Sequence, residues 1–381
     1  MFEEELRELE ENGLLRRLLP RNSPQGPVIT VGGKEYLNFA SNDYLGLAGR
    51  QELLRAAGAA GRKFGFGAGA SRLLAGGSPL HEELEKAVAA FKMTDAALLF
   101  NSGYTANTAS IAALAAEGST IFSDELNHAS IIDGCRLSRA RVVIYRHRDA
   151  GHLEDLMRRE RTDRKVVVTD SVFSMDGDIA PLPEIYALCR RHDAVLYLDE
   201  AHATGVLGGG RGALAHFGLA PHPRTIQMGT FSKALGSFGA FVAGDRDVIG
   251  WLTNTARGFM FSTALPAPVA AASLASLSLL GKRPGLVRRL WANTQKTAEG
   301  LREIGYDPGP AETPILTIRR RSQGDVLTLS AFLWGQGIYA PAIRPPTVRE
   351  PRIRLTLTAA HTAGQIRALI KAMGEYGREA R

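Results

Sequence analysis

Val195 to Gly205 reads VLYLDEAHATG. An apolar run of strand length ends in two acids, Asp199 and Glu200, followed by His202. Such a run bounded by polar residues has the character of a strand buried on both faces. Carboxylates and an imidazole at its end call for a reason, because an ionised group is costly away from water unless it is paired.

Working outward, the same grammar repeats. ALLF runs into NSGYTAN, STIF into SDELNHAS, KVVVT into DSVFSMDGD, and TIQM into GTFSKALG, while RVVIY and AFVAG are further apolar runs. Helical segments such as HEELEKAVAAF and LPEIYALCRRH separate them. This alternation predicts an α/β fold with a mostly parallel central sheet covered by helices on both faces. In such a sheet a ligand binds beyond the carboxyl ends of the strands, so one site would collect all five polar clusters.

Before that segment, leucines at 6, 9, 14, 15, 18 and 19 predict an amphipathic helix closed by Pro20, followed by a hairpin of VITV and EYLNFA around Gly32 and Gly33. After about Pro284 come a helix over WANTQKTAEGLREIG, strands in TPILTIRR, IYAPAIRPPTV and RIRLTLT, and a closing helix from Ala363. The expected division is an N-terminal segment over 1–50, a large domain over 51–283 and a small α+β domain over 284–381.

Composition excludes some classes. The chain of 381 residues is 45% hydrophobic and 22% charged, ordinary for a globular protein, and its net charge of +7 favours anionic partners. Two widely separated cysteines, Cys135 and Cys189, suggest neither a disulfide framework nor a zinc site, and no metal is expected. The acidic start MFEEELRELEENGLL does not resemble a secretory signal, and no run reaches the ~20 apolar residues of a membrane span. A cytoplasmic location without a membrane partner is expected.

The letters DEAH also spell a helicase box, which requires a phosphate loop of the form G-x-x-x-x-G-K-[ST]. Gly33-Lys34 and Gly281-Lys282 are followed by Glu35 and Arg283, so neither fits. Nucleic acid is therefore not expected as a partner.

Lys233, between TIQM and AFVAG, offers a different chemistry. Burial favours the neutral amine, which forms a Schiff base with a carbonyl. Pyridoxal 5′-phosphate joins such a lysine to an acid on its ring nitrogen, a part that suits Asp199, while His202 reaches the ring oxygen. Ser102, Gly103 and Tyr104 open a helix whose N–H groups suit the phosphate, and Thr230 and Ser232 add hydroxyls. His128 is placed to lie against the ring, with Ser174 near it.

These residues carry a resemblance. LNFASNDYLGL at 37–47, HEELE at 81–85, SGYTAN at 102–107, VFSMDGD at 172–178, LDEAHATG at 198–205, TFSKALGSFG at 230–239 and AIRPPTV at 342–348 are similar to the α-oxoamine synthase family of fold-type I pyridoxal-phosphate transferases. The resemblance spans essentially the whole chain. It implies Lys233 as the cofactor lysine, Asp199 on the ring nitrogen, His202 and Ser174 on the ring oxygen, and His128 stacked on the ring. It further implies phosphate contacts from Gly103, Tyr104 and Thr230, and one from Thr263 to the site of a neighbouring subunit in a homodimer. Substrate positions would be Asn42, Arg344, Thr347 and Arg16, with Arg17 adjacent as the alternative; the Arg344 fork suits a carboxylate. AIRPPTV and RLTLTAAHT point, within the family, to condensation of L-alanine with a pimeloyl thioester, carried on coenzyme A or acyl carrier protein, in biotin synthesis. Glycine-using members, an acetyltransferase and a 5-aminolevulinate synthase, are the alternatives.

Overall fold

The computed structural model describes residues 1–379. The chain divides into two compact units. One comprises Met1–Asn42, Met175–Gly177 and the described residues from Leu290 onward; the other comprises Asp43–Ser174 and Asp178–Arg289. The N-terminal segment and the C-terminal region therefore belong to one unit, a division that differs from the three consecutive segments read from the sequence.

The terminal unit contains the expected hairpin, β1 (Val28–Val31) against β2 (Lys34–Asn38). The larger unit carries β3 (Ala96–Phe100), β4 (Thr120–Asp124), β5 (Arg141–Tyr145), β6 (Lys165–Asp170), β7 (Val195–Asp199), β8 (Thr225–Thr230) and β9 (Ala240–Gly244). Among the described residues these form one seven-stranded sheet in the order β3-β9-β8-β7-β6-β4-β5. Pairs from β5 through β8 are parallel, whereas β9 runs antiparallel to both β3 and β8. The order places β7, which ends in Asp199, between β6 and β8.

The strand character follows from the residues. β6, β7 and β9 are dominated by Val, Leu, Phe and Ala, and Val166, Val167, Val168, Leu198, Phe241 and Val242 are buried. Burying each large apolar side chain contributes roughly 1.5–3 kcal/mol, which favours a sheet covered on both faces. Side chains alternate along β7, so Tyr197 and Asp199 share a face. Cys135 and Cys189 are both free and buried.

In the terminal unit, β10 (Ile315–Arg319) and β13 (Arg352–Thr356) pair antiparallel. The single strand expected in IYAPAIRPPTV is instead two short ones: β11 (Ile338–Tyr339) joins β2, and β12 (Ala342–Ile343) joins β13. Pro341 between them lacks the N–H that a continuous ladder needs.

A second difference concerns the first helix. It spans Glu3–Glu11 and stops well before Pro20. Asn12 N–H donates to the Glu8 carbonyl, and Gly13 adopts the left-handed conformation with φ 64°. Glycine adopts it without Cβ strain, so the helix ends there and Leu14, Leu15, Leu18 and Leu19 lie outside it. Among the described residues no helix is long and apolar enough to cross a membrane.

Candidate active site

Asp199 is 4% exposed, and both its oxygens are held. Oδ1 accepts the Ala201 N–H at 2.8 Å, and Oδ2 accepts Asn107 Nδ2 at 2.8 Å. Asn107 comes from the helix Gly103–Leu114, which follows β3, and its Oδ1 accepts the Tyr197 hydroxyl at 3.0 Å. The carboxylate is thus fixed by an amide and a backbone donor rather than by a cation.

Glu200, the second acid of the quoted stretch, has a different use. It forms a fully buried ion pair with Lys92 and accepts the Ala213 N–H at 2.7 Å. Burial pushes the Lys92 ammonium down while Glu200 pulls it back up. Lys92 also donates to the Arg211 carbonyl at 2.7 Å, which commits it to this pair.

Lys233 lies in the loop between β8 and β9. Thr230 anchors this loop: its hydroxyl donates to the Gly239 carbonyl at 2.8 Å, and its Oγ1 lies 2.6 Å from Ser232 Oγ. Gly236 closes the turn, its N–H donating to the Lys233 carbonyl at 2.9 Å. Gly236 has φ 60°, and a Cβ there would meet the Ala48 backbone N at 2.4 Å, so a side chain is excluded. Lys233 Nζ is hydrogen-bonded to His202 Nε2 at 2.9 Å, and His202 Nδ1 to the Tyr44 hydroxyl at 2.7 Å.

His128 sits after β4 as N-cap of the helix Ala129–Leu137. Its backbone N–H donates to Asp170 Oδ2 at 2.7 Å, and Nδ1 lies 2.8 Å from Ser130 Oγ. Burial holds the imidazole below its usual range; the Asp199 charge opposes this and the Lys233 charge reinforces it. Asp170, paired in register with Asp199 across β6 and β7, is pushed well above the usual carboxylate range by burial and then by the Asp199 charge.

Ser102 caps the helix Gly103–Leu114 by accepting the Thr105 N–H at 3.1 Å. Gly103 and Tyr104 fall in its first turn, where backbone N–H groups have no intrahelical acceptor. The Tyr104 hydroxyl donates to Asp133. Ser174 lies in the turn framed by the bridge between Val172 and Ile179. Thr263 is exposed, with its backbone carbonyl accepting Asn101 Nδ2 at 2.7 Å.

The expected substrate residues all belong to the terminal unit. Arg16 donates to the Thr347 hydroxyl at 2.9 Å, and Arg344 donates to the carbonyls of Gly13 and Leu15 at 2.8 and 3.2 Å. Arg17 pairs with Glu10 instead. Asn42 Oδ1 accepts from Arg354 at 3.2 Å.

Sequence reasoning missed Asn107, Ser130, Tyr44 and Asp170. Asn107 left one signal, a poor helix former inside the apolar helix TANTASIAAL, where a side-chain partner is required.

A carboxylate, an amine and a helix start with open donors suit, respectively, a cationic ring nitrogen, an aldehyde and a phosphate. This donor set fits pyridoxal 5′-phosphate. Residues 34–373 match the family model for aminotransferase class I and II. The chain is 46% identical to the 8-amino-7-oxononanoate synthase of Thermoanaerobacter pseudethanolicus, covering 99% of this chain and 97% of that one. It is 47% identical to the enzyme of the same name from Anaeromyxobacter dehalogenans, covering 97% and 93%. Among solved structures, a serine palmitoyltransferase from S. paucimobilis with a bound PLP–myriocin aldimine matches with TM-score 0.94 at 29% identity, covering 99% and 98%.

Proposed function

The chain belongs to the aminotransferase class I and II family, and from that premise we propose that it is a pyridoxal 5′-phosphate enzyme of biotin synthesis. It condenses L-alanine with a pimeloyl thioester, releasing carbon dioxide and the thiol carrier and yielding 8-amino-7-oxononanoate. The observation that carries this reading is the hydrogen-bond chain that joins Asp199 through Asn107 and Ser130 to His128, with Lys233 Nζ held 2.9 Å from His202, just past Asp199 on the same strand end. An acid and an amine are thereby brought to the end of β7, as a ring held at two points requires. The near-full-length likeness to synthases of that name supports the substrate choice.

Pyridoxal phosphate supplies, when bound, a conjugated cationic ring that withdraws electrons from the amino-acid α-carbon. Asp199, locked by Asn107 and Ala201, would keep a proton on the ring nitrogen. Lys233 would hold the cofactor covalently, and its Nζ would be the base that takes the α-proton of alanine. His202, braced by Tyr44, orients Lys233 and, with Ser174, would meet the ring oxygen. Gly103, Tyr104 and Thr230 would hold the phosphate. His128 would cover the ring and orient the alanine carboxylate. Arg344, Arg16, Thr347 and Asn42 bind the substrates, with the guanidinium groups meeting carboxylate.

The working form is a cytoplasmic homodimer. Phe66, Leu74 and Phe261 are 82%, 81% and 69% exposed, and a second copy would cover such apolar side chains and bring in Thr263. The test is purified protein with pyridoxal phosphate, L-alanine and pimeloyl-coenzyme A, followed by mass spectrometry. 8-Amino-7-oxononanoate is the expected product. Turnover confined to glycine with acetyl- or succinyl-coenzyme A would overturn the substrate choice.

A further inference from the structure

We propose that Asn107 and Ser130 are positioning residues that set the tautomer of His128, leaving Nδ1 as an acceptor and placing the ring proton on Nε2. An ionised carboxylate only accepts, so the Asn107 atom 2.8 Å from Asp199 Oδ2 is the amide nitrogen. The other amide atom is then the oxygen, as the Tyr197 hydroxyl at 3.0 Å requires.

The same amide nitrogen donates its second proton to Ser130 Oγ at 2.8 Å. His128 Nδ1 accepts the Ser130 backbone N–H at 3.3 Å in the helix cap, so the hydrogen between Nδ1 and Ser130 Oγ, 2.8 Å apart, is the hydroxyl proton. Two donors converge on one ring nitrogen, so Nδ1 carries no hydrogen and the proton of the neutral ring resides on Nε2. An imidazolium would turn Nδ1–H against both donors. The charged groups about the ring are Asp199 and Lys233, with Asp170 accepting its backbone N–H. Burial pushes this imidazole toward its neutral form, in the same direction as the hydrogen bonds.

The consequence rests on the proposed function. The alanine carboxylate is an acceptor and needs a donor; Nε2–H supplies one, whereas the opposite tautomer would turn a lone pair toward it. The residue that fixes the ring-nitrogen acid thus also fixes the donor for the substrate. The signal runs Asp199, Asn107, Ser130, His128 through three hydrogen bonds, each 2.8 Å.

The test is 15N-histidine NMR of the full chain, ligand-free and loaded with pyridoxal phosphate, with the His128 resonances assigned by their loss in His128→Gln. At pH 7 the wild type should show a neutral ring protonated on Nε2. Ser130→Ala should give mixed tautomers, with Ser130→Thr restoring the single form. In the loaded enzyme Ser130→Ala should lower kcat/KM for alanine about tenfold to a hundredfold, mainly through KM, with the lysine-linked absorbance retained. A wild-type ring protonated on Nδ1, or doubly protonated at pH 7, would overturn the inference. Because the tautomer is read in the ligand-free protein, that failure is distinct from failure to bind pyridoxal phosphate, which counts against the proposed function instead.

Discussion

Two histidines follow neighbouring parallel strands and are driven in opposite directions. His128, after β4, meets a hydroxyl and a backbone N–H at Nδ1, and its imidazole lies below its usual range. His147, after β5, donates from Nδ1 to Asp124 Oδ1 and from Nε2 to Asp178 Oδ2, each at 2.9 Å. Burial alone would push the His147 imidazole down, but the two carboxylates outweigh it and raise it to about 9. Desolvation pushes both rings the same way, so it does not distinguish them. The partner does: donors leave one ring neutral with a proton to offer, and acceptors commit both hydrogens of the other.

The two neighbourhoods therefore do different work. Asp124, His147, Asp178 and Arg148 close on one another, with Arg148 3.3 Å from Asp178 and Phe173 edge-on to His147 at 4.4 Å. This clamp ties the end of β4 to the turn bearing Ser174. The His128 side instead arranges its hydrogen bonds around groups that must react. Variants on the first side should change stability more than chemistry, and those on the second the reverse.

The largest effect expected is that of Lys233→Ala, a loss of about a thousandfold or more in turnover together with the lysine-linked absorbance. Retention of that absorbance would show that another amine, such as Lys92, carries the cofactor. His128→Ala should lower condensation by about a hundredfold while cofactor uptake, followed by absorbance titration, changes little. Equal loss of both would remove the distinction between a ring that orients substrate and one that holds the cofactor.

His147→Leu reverses the pattern. It leaves Asp124, whose side chain is 1% exposed, without its cationic partner. Urea unfolding should show a loss of about 2 kcal/mol, with kcat at saturating substrates within about threefold of wild type. A hundredfold fall in kcat without a stability change would place His147 in the chemistry.

The smallest effect is in pH. The folded-state value of His147, about 9, is above that of an unfolded histidine, so its stabilisation is fully present below about pH 6.5 and fades as pH rises through 9. With solvent screening of this partly exposed ring, the change should be on the order of 1 kcal/mol. The difference in unfolding free energy between wild type and His147→Leu should narrow over that window. A difference constant from pH 6 to 9.5 would mean that the ring is not charged.

The sheet was legible because each strand is a short apolar run bounded by polar residues, and the candidate site was proposed because five such runs end in chemistry-bearing clusters. The reversed direction of β9 was not, since AFVAG is equally apolar in either direction. The first helix was overextended because leucine spacing continues past Gly13, where the backbone turns. Lys233, Asp199 and His202 stood out by residue type and position. Their supports did not: Asn107 meets Asp199 across 92 residues and Tyr44 meets His202 across 158, contacts that topology creates and local pattern does not encode. Glu200 looked like part of the site, yet its partner Lys92 lies 108 residues away and takes it out of the chemistry.

The central claim is that the loop after β8 and the end of β7 hold one ring between Lys233 and Asp199. Incubation with pyridoxal phosphate, borohydride reduction and peptide mapping tests it most directly. The pyridoxyl label should fall on the peptide containing Lys233, and Asp199→Asn should retain the label while losing turnover. A label on Lys92 or any other lysine, with Lys233 unmodified, would contradict it.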